Sequence, residues 1–182
     1  KILIFEGIAT SGKSTVIAQL QKALPGLQVV VADEPVTYEP IMEERSDKHI
    51  GFFKELIQRI SSTKPDLLIF DRLYLTQAFR AKSGISDYSG IEKLLSKYSP
   101  LTIFLKVDEG TIMDRISKAS EHRGSDYFTF RGTSKERAQY YIDQQKHQLK
   151  LLERSTLPHK VINTTDHDYD KVVKEVLESI NK

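Results

Sequence analysis

A segment near the beginning of the chain, residues 7–15 (GIATSGKST), constrains the fold more than any other feature of the sequence. It fits the pattern G-x-x-x-x-G-K-[S/T], whose glycines let the backbone wrap around phosphate groups with its N–H groups pointing inward. An apolar stretch, residues 2–5, precedes the segment, and a run with helical periodicity begins at residue 14. Because this pattern requires a strand before the loop and a helix after it, the sequence predicts a site for a nucleoside triphosphate.

The residues of this loop have separate predicted roles in binding the nucleotide. Lys13 supplies a point charge for the β- and γ-phosphates, and the Ser14 hydroxyl is a predicted ligand of Mg²⁺. The other predicted contacts to the phosphates come from Gly7, Thr10, Ser11, Gly12 and Thr15. The expected cofactors are therefore ATP and Mg²⁺, and the motif alone does not distinguish ATP from GTP.

Apolar runs and helical patterns alternate along the rest of the chain. Short strands are predicted at residues 2–5, 27–32, 67–70, 101–107 and 160–162. This alternation is typical of an α/β fold with a mostly parallel sheet and helices on both faces. With 182 residues, the chain fits a single domain that spans residues 1–182.

The helical patterns also carry signals for where helices begin and where a lid could lie. Asp47 is a predicted N-cap, and Thr133 with Glu136 forms a predicted capping box. Residues 119–133 are polar, basic and punctuated by glycines, and they lie between two predicted helices. This segment is a candidate lid.

Composition excludes several classes of function. The 27 Lys and Arg against 25 Asp and Glu give a net charge of +2, which provides no concentrated basic face for nucleic acid. No apolar run approaches the roughly 18 residues that cross a bilayer, so no membrane partner is expected. The chain has no cysteine, which excludes disulfides and thiolate catalysis and fits a cytoplasmic location.

The predicted third strand ends in a polar pair, Asp71-Arg72. Since the carboxyl ends of parallel strands deliver polar side chains to the ligand site, Asp71 is a predicted partner of Mg²⁺. Its alternative role is the N-cap of a helix from Leu73. Arg72 can clamp a phosphate or a carboxylate with two hydrogen bonds, and an ordinary surface ion pair is the alternative.

These motifs together resemble the thymidylate kinase and deoxynucleoside kinase group. Four segments occur in that family's order: Phe5-Glu6-Gly7, Glu34-Pro35 after the second strand, Asp71-Arg72 after the third, and a basic segment after the fourth. The resemblance implies a three-layer P-loop NTPase fold with a five-stranded sheet. It also implies a lid whose arginines close over the transferred phosphate and pairing of the chains as a homodimer. The lid candidates are Arg115, Arg123 and Arg131, of which Arg123 is preferred because it lies in the polar stretch.

The sequence departs from thymidylate kinases at positions that serve the acceptor nucleotide. Ala9 stands where that family has Asp, Asp33 where it has Arg, and Val36-Thr37-Tyr38 where it has Gly-Gly-Thr. Glu34-Pro35-Val36 with Tyr38 instead resembles the Glu-Pro-Val-x-x-Trp of deoxynucleoside kinases, whose Glu takes the proton from the sugar 5′-hydroxyl.

This second resemblance implies Glu34 as a general base, and it places Glu34, Tyr38 and Arg72 at the acceptor. Asp33 beside Glu34 concentrates negative charge, which repels a phosphate but can activate a hydroxyl. By contrast, Asp71-Arg72-Leu73-Tyr74 is more similar to the Asp-Arg-Tyr of thymidylate kinases than to the corresponding motif of deoxynucleoside kinases. The expected activity is transfer of the γ-phosphoryl group of ATP to a nucleoside or a nucleoside monophosphate.

Three other functions remain open at this point. A GTPase switch would use residues 163–166 in place of N-K-x-D and residues 87–90 in place of D-x-x-G, but the first lacks the Lys and the second follows no predicted strand. An ATPase or ATP-binding regulator would need no small-molecule acceptor. A kinase could also act on a small molecule other than a nucleoside.

Overall fold

A computed structural model describes residues 1–37, 46–124, 128, 130 and 132–180 of the chain. Its centre is one sheet of five parallel strands in the order β2-β3-β1-β4-β5. The strands are β1 (Ile2–Glu6), β2 (Val29–Ala32), β3 (Leu67–Asp71), β4 (Pro100–Lys106) and β5 (His159–Asn163). The carboxyl ends of β3, β1 and β4 therefore lie side by side, with the phosphate-loop sequence at the end of the central strand.

Helices connect the strands. They are α1 (Lys13–Ala23), α2 (Glu34–Thr37), α3 (Ser46–Ser61), α4 (Leu75–Arg80), α5 (Ser89–Leu95), α6 (Glu109–Arg123), α7 (Ser134–Leu152) and α8 (Tyr169–Ile180). Short 3₁₀ helices at Ile85–Tyr88 and Ser96–Tyr98 flank α5. Within the part of the chain that the structure describes, none of these helices is long and apolar enough to cross a membrane.

Alternation along β1 assigns the helices to two faces of the sheet. Ile2 and Ile4 are buried in a cluster to which α3, α4, α5 and α7 contribute. Leu3 and Phe5 are buried in a second cluster, with apolar side chains of α1 and α8. Helices thus cover both faces, and the predicted α/β fold with a five-stranded sheet is confirmed.

A third apolar cluster lies under the phosphate loop. Ile8 and Ala9 pack there against Ile112 and Ile116 of α6 and against Tyr141 of α7. The loop therefore rests on the two helices that follow β4. Because the packing is close, a displacement of α6 or α7 would also displace the loop backbone.

Several boundaries differ from those predicted. β2 begins at Val29, because the Leu27 N–H closes a turn onto Leu24. α3 begins at Ser46, one residue before the predicted cap Asp47. The one-turn helix α2 was not predicted.

The capping box at Thr133 and Glu136 is confirmed. The Glu136 N–H donates to the Thr133 hydroxyl at 3.3 Å, and the Thr133 N–H donates to the Glu136 carboxylate at 2.8 Å. α6 continues to Arg123, so the first five residues of the candidate lid, residues 119–123, are helical. The role of that segment as a lid remains a prediction.

Candidate active site

The loop between β1 and α1 has the backbone geometry that its glycines permit. Gly7 and Gly12 have φ of 139° and 92°. A Cβ at Gly7 would lie 2.6 Å from the Leu105 carbonyl oxygen, and one at Gly12 would lie 2.3 Å from the Tyr169 ring. Neither position accepts a side chain, because both the backbone conformation and the surrounding space forbid it.

Lys13 is the first residue of α1, and its ammonium lies inside the loop. It donates hydrogen bonds of 3.1 Å to the carbonyls of Gly7 and Ile8. Burial, with the positive charge of Arg72 as a smaller cause, lowers the pKa of Lys13 to about 8. A buried cation with a lowered pKa is a group that an anionic ligand would stabilise strongly.

A cavity of about 390 Å³ opens beside the loop. This volume is in the range of sites that enclose small molecules. Most of the predicted site residues share it. Those that line it are Thr10, Gly12, Lys13, Ser14, Thr15, Glu34, Arg72 and Arg123. The predicted acceptor contact Tyr38 lies outside the described residues.

Glu34 and Arg72 form an ion pair on the wall of this cavity. The Arg72 Nε donates to Glu34 Oε1 at 2.5 Å, and the Arg72 side chain is only 9% exposed while that of Glu34 is 40% exposed. The alternative of an ordinary surface ion pair is therefore wrong. Burial would raise the pKa of Glu34, but Arg72 and Lys13 outweigh it and hold that pKa below its ordinary value. Glu34 is ionised at neutral pH.

The Arg72 guanidinium is fixed by further hydrogen bonds. Its Nη1 donates to the Gly7 carbonyl at 2.9 Å and to the Thr76 hydroxyl at 3.1 Å. The Thr76 hydroxyl donates to Glu6 Oε2 at 3.0 Å and accepts from the Gln148 amide at 2.9 Å. Arg72, Thr76, Glu6 and Gln148 thus form a buried relay that joins β1, α4 and α7 to the ion pair.

Glu6 is completely buried, and it also organises the start of α4. Its Oε1 accepts the N–H groups of Leu73 and Leu75, each at 3.0 Å. Burial raises the pKa of Glu6, and these hydrogen bonds and Arg72 oppose that rise. Glu6 rather than Asp71 receives these N–H groups, so the predicted alternative of Asp71 as the N-cap is wrong. α4 begins at Leu75 and not at Leu73.

Asp71 ends β3 beside the loop and is 6% exposed. Its Oδ1 is buried without a hydrogen-bond partner among the described residues, and its burial raises its pKa, an effect that Lys13 opposes. Within the described ranges no group of His, Cys, Asp or Glu forms a metal cage. A carboxylate oxygen, the Ser14 hydroxyl and phosphate oxygens are the hard ligands that Mg²⁺ takes in such sites, so the residues present fit this ion.

The opposite side of the cavity is formed by α6. Lys118 and Arg123, which we call the cationic wall, are exposed side chains that line it, and the exposed His122 lines it beside them. Arg115, one turn earlier, is buried and donates to the Thr10 carbonyl at 2.7 Å and to the Thr164 carbonyl. Arg115 therefore holds the loop in place, and it also lines the cavity; its role as a lid arginine stays a prediction. Arg131 lies outside the described residues.

The segments that would support a GTPase have other contacts. The Asn163 amide donates to the Asp108 carboxylate at 2.9 Å, and Asp87 accepts the Gly84 N–H at 3.2 Å. Neither residue lines the cavity described above. Thr164 of the first segment supports the loop, since its hydroxyl donates to the Ser11 carbonyl at 2.9 Å.

Several cavity residues were not predicted as site residues. They are Thr76, Lys118, Tyr140, Tyr141, Gln144, His167 and Tyr169. No local motif marks these positions, because they belong to helices and loops whose place at the cavity depends on how α4, α6, α7 and α8 pack.

No protein-family model matches the chain, and no curated protein matches it. Solved structures do match. The YorR protein of Bacillus subtilis, in complex with phosphorylated GDP, has 19% identity and a TM-score of 0.69 over 100% of this chain and 96% of that one. Deoxyadenosine kinase from M. mycoides with bound dATP has 17% identity and a TM-score of 0.63 over 100% of both chains.

Polyphosphate kinase 2 from Arthrobacter aurescens TC1 is also similar, with 14% identity and a TM-score of 0.66 over 94% of this chain and 64% of that one. At such low identities these likenesses show a shared fold. The chain therefore has the fold of nucleotide-binding kinases, and it resembles the deoxynucleoside kinase group in that respect.

Proposed function

We propose that the chain is a kinase that transfers the γ-phosphoryl group of ATP to a nucleoside or a nucleoside monophosphate. One observation carries this proposal: the ionised Glu34, paired with Arg72, lines the same cavity as Lys13 and Ser14 of the phosphate loop. A triphosphate site alone would serve any nucleotide-binding protein. A positioned carboxylate beside it provides what an acceptor hydroxyl needs.

The donor side of this reaction rests on the loop. Lys13 and the N–H groups at the start of α1 would hold the phosphates, and Ser14 and Asp71 would hold Mg²⁺. The ion would offset charge on the phosphoryl group during transfer. Because phosphoryl transfer asks little covalent chemistry of the protein, positioning and charge stabilisation account for most of the catalysis.

The acceptor side is formed by Glu34, Arg72, Thr76 and Gln144, which we call the acceptor wall. Glu34 would accept the proton of the attacking hydroxyl, since it is ionised at neutral pH and one of its oxygens, Oε2, is not used by the ion pair. Arg72 would hold Glu34 and a substrate oxygen together. A nucleoside acceptor fits a general base at Glu34, and a thymidylate-kinase-like reaction on a monophosphate would instead depend on Arg72 as the phosphate clamp.

The remaining features of the proposal come from the resemblance of the sequence. Arg123 of the cationic wall is the proposed lid arginine, and it reaches the cavity from the end of α6. Pairing as a homodimer is proposed on the same basis, and a cytoplasmic location is proposed because the chain has no cysteine. The described residues fit a chain that binds its donor and its acceptor in one cavity.

The test is incubation of the protein with ATP and Mg²⁺ and a panel of nucleosides and nucleoside monophosphates, followed by phosphorus NMR. The expected result is ADP and one phosphorylated acceptor. Release of inorganic phosphate with no phosphorylated acceptor would instead support an ATPase or a regulator. Transfer to a monophosphate and to no nucleoside would contradict the proposed role of Glu34 as a general base.

A further inference from the structure

Three glutamines of α7 are buried, and they differ in what they contact. Gln145 is paired with the backbone of Val107, accepting its N–H at 2.9 Å and donating to its carbonyl at 2.7 Å. Gln148 donates to the Thr76 hydroxyl. Gln144 is 3% exposed and lines the cavity, yet no described residue forms a hydrogen bond with its amide.

The Gln144 amide reaches the cavity surface, where water or a ligand can be its hydrogen-bond partner. When a ligand displaces that water, the amide is satisfied only if the ligand presents a polar group to it. Gln144 faces a cavity rather than packed apolar side chains. A polar ligand group in that cavity is therefore the natural partner of its amide.

The relay shows where in the cavity this amide lies. Gln144 is one helical turn before Gln148 on the same face of α7, and side chains at this spacing are about 5–6 Å apart. Gln148 contacts Thr76, which contacts the Arg72 that holds Glu34. This places Gln144 on the side of α7 that carries the relay to the ion pair.

We infer that Gln144 hydrogen-bonds a sugar hydroxyl of the acceptor. This inference rests on the proposed function, in which the attacking 5′-hydroxyl lies at Glu34. The group nearest to that hydroxyl is the sugar ring, whereas the base lies farther along the molecule. A hydroxyl both donates and accepts a hydrogen bond, as does a carboxamide, so the two groups can satisfy each other. Both nucleosides and nucleoside monophosphates carry this sugar.

The test measures kcat/KM for matched acceptors. Each is a nucleoside, or its monophosphate, with both sugar hydroxyls, without the 2′-hydroxyl or without the 3′-hydroxyl. The wild-type protein is expected to prefer the acceptor that carries the recognised hydroxyl by about tenfold or more, because the amide is otherwise left unpaired. In Gln144→Leu this preference should disappear, while the KM for ATP stays unchanged. Gln139→Leu, at an exposed position of the same helix, is the matched control and should keep the preference.

Two results would overturn the inference. One is that Gln144→Leu lowers kcat/KM by the same factor for all acceptors, which would indicate a role in folding or packing. The other is that the variant changes only the choice of base, which would assign the amide to the base. The proposed function fails in a different way: the wild-type protein would then phosphorylate none of these acceptors, whatever residue stands at position 144.

Discussion

The acceptor wall and the cationic wall bound the same cavity but are built in opposite ways. Arg72 and Thr76 are buried and hydrogen-bonded to residues of β1 and α7. Lys118 of the cationic wall is exposed and pairs at the surface with Asp114 at 2.8 Å. Buried hydrogen bonds fix the orientation of the side chains in the acceptor wall, whereas the side chains of the cationic wall are exposed to solvent and can change conformation.

This difference separates two kinds of contribution to the proposed reaction. Buried, hydrogen-bonded groups act through orientation, so their loss should lower kcat with little dependence on salt. Exposed cations act through the field they create, so their loss should raise KM and the effect should shrink as salt screens it. The following variants test that separation.

The largest effect is expected for Lys13, which lies between the two walls. Lys13→Ala removes the cation that neutralises the transferred phosphate, and turnover should fall by about 10³-fold, as for other preorganised charges in enzyme sites. The thermal melting temperature should not fall, since the buried ammonium has a lowered pKa and contributes no net stability. Lys22→Ala, at an exposed position of α1, is the control. Near-normal turnover in Lys13→Ala would contradict the assignment of the site.

A second variant tests orientation by the acceptor wall. Glu34→Gln keeps the shape of the side chain but cannot accept the proton, so kcat should fall by about 10²-fold with the KM for ATP unchanged. Asp33→Asn, which changes the neighbouring exposed carboxylate, should have a much smaller effect. Equal losses in the two variants would show that local negative charge, and not a positioned base, matters here.

The buried relay behind the acceptor wall should be visible in stability. Glu6→Ala leaves the N–H groups of Leu73 and Leu75 and the Thr76 hydroxyl without their acceptor, and it should lower the free energy of unfolding by roughly 3 kcal/mol or more. Glu6→Gln can keep some of these hydrogen bonds, but its NH₂ group must face a donor, so its loss should be intermediate. Urea unfolding of the two variants measures both values. An unchanged midpoint in Glu6→Ala would mean that the relay adds no stability.

The two walls also differ in how far the sequence predicted them. Lys13 was predicted from the loop pattern, Glu34 from the resemblance to deoxynucleoside kinases, and Arg72 from its place at the end of a strand. The strands before Glu34 and Arg72 are parallel neighbours, which brings these two residues together. The role of Asp71 as a helix cap was predicted wrongly, because the acceptor of those N–H groups is Glu6 of the adjacent strand. That contact joins residues more than 60 positions apart, and no local pattern indicates it.

Gln144 shows the limit of such reasoning most clearly. The period of α7 predicts which of its residues are buried, but Gln144, Gln145 and Gln148 have the same residue type and share this burial. Only the packing of α7 against α4 and β4 gives Gln145 and Gln148 protein partners and leaves Gln144 at the cavity. Short sequence segments are enough to predict the strands and the phosphate loop, whereas the contacts of these three glutamines depend on the tertiary structure.

The charge state of Lys13 gives a pH test that is separate from the variants of the two walls. Because its pKa is about 8 in the free protein, raising the pH through 8 removes the proton that the triphosphate needs. The affinity for a non-hydrolysable ATP analogue should therefore fall by about tenfold between pH 7 and pH 9, as linkage requires when only the protonated form binds well. Isothermal titration calorimetry across this range measures the fall. Lys13→Ala should show no such dependence, and a persistent fall in that variant would assign it to another group.

The smallest effect is expected at the cationic wall, where salt is the decisive variable. Arg123→Ala and Lys118→Ala each remove one exposed charge, so the KM for ATP should rise by about threefold to fivefold at low ionic strength, with kcat nearly unchanged. At about 0.5 M salt the Debye length falls below the separations involved, and the effect should nearly vanish. If Arg123→Ala instead lowered kcat by about 100-fold at every salt concentration, Arg123 would act on the transferred phosphate as a lid arginine does. The difference between the walls would then hold only for Lys118, and α6 would contribute a group that orients the transferred phosphate as well as a charge that attracts ATP.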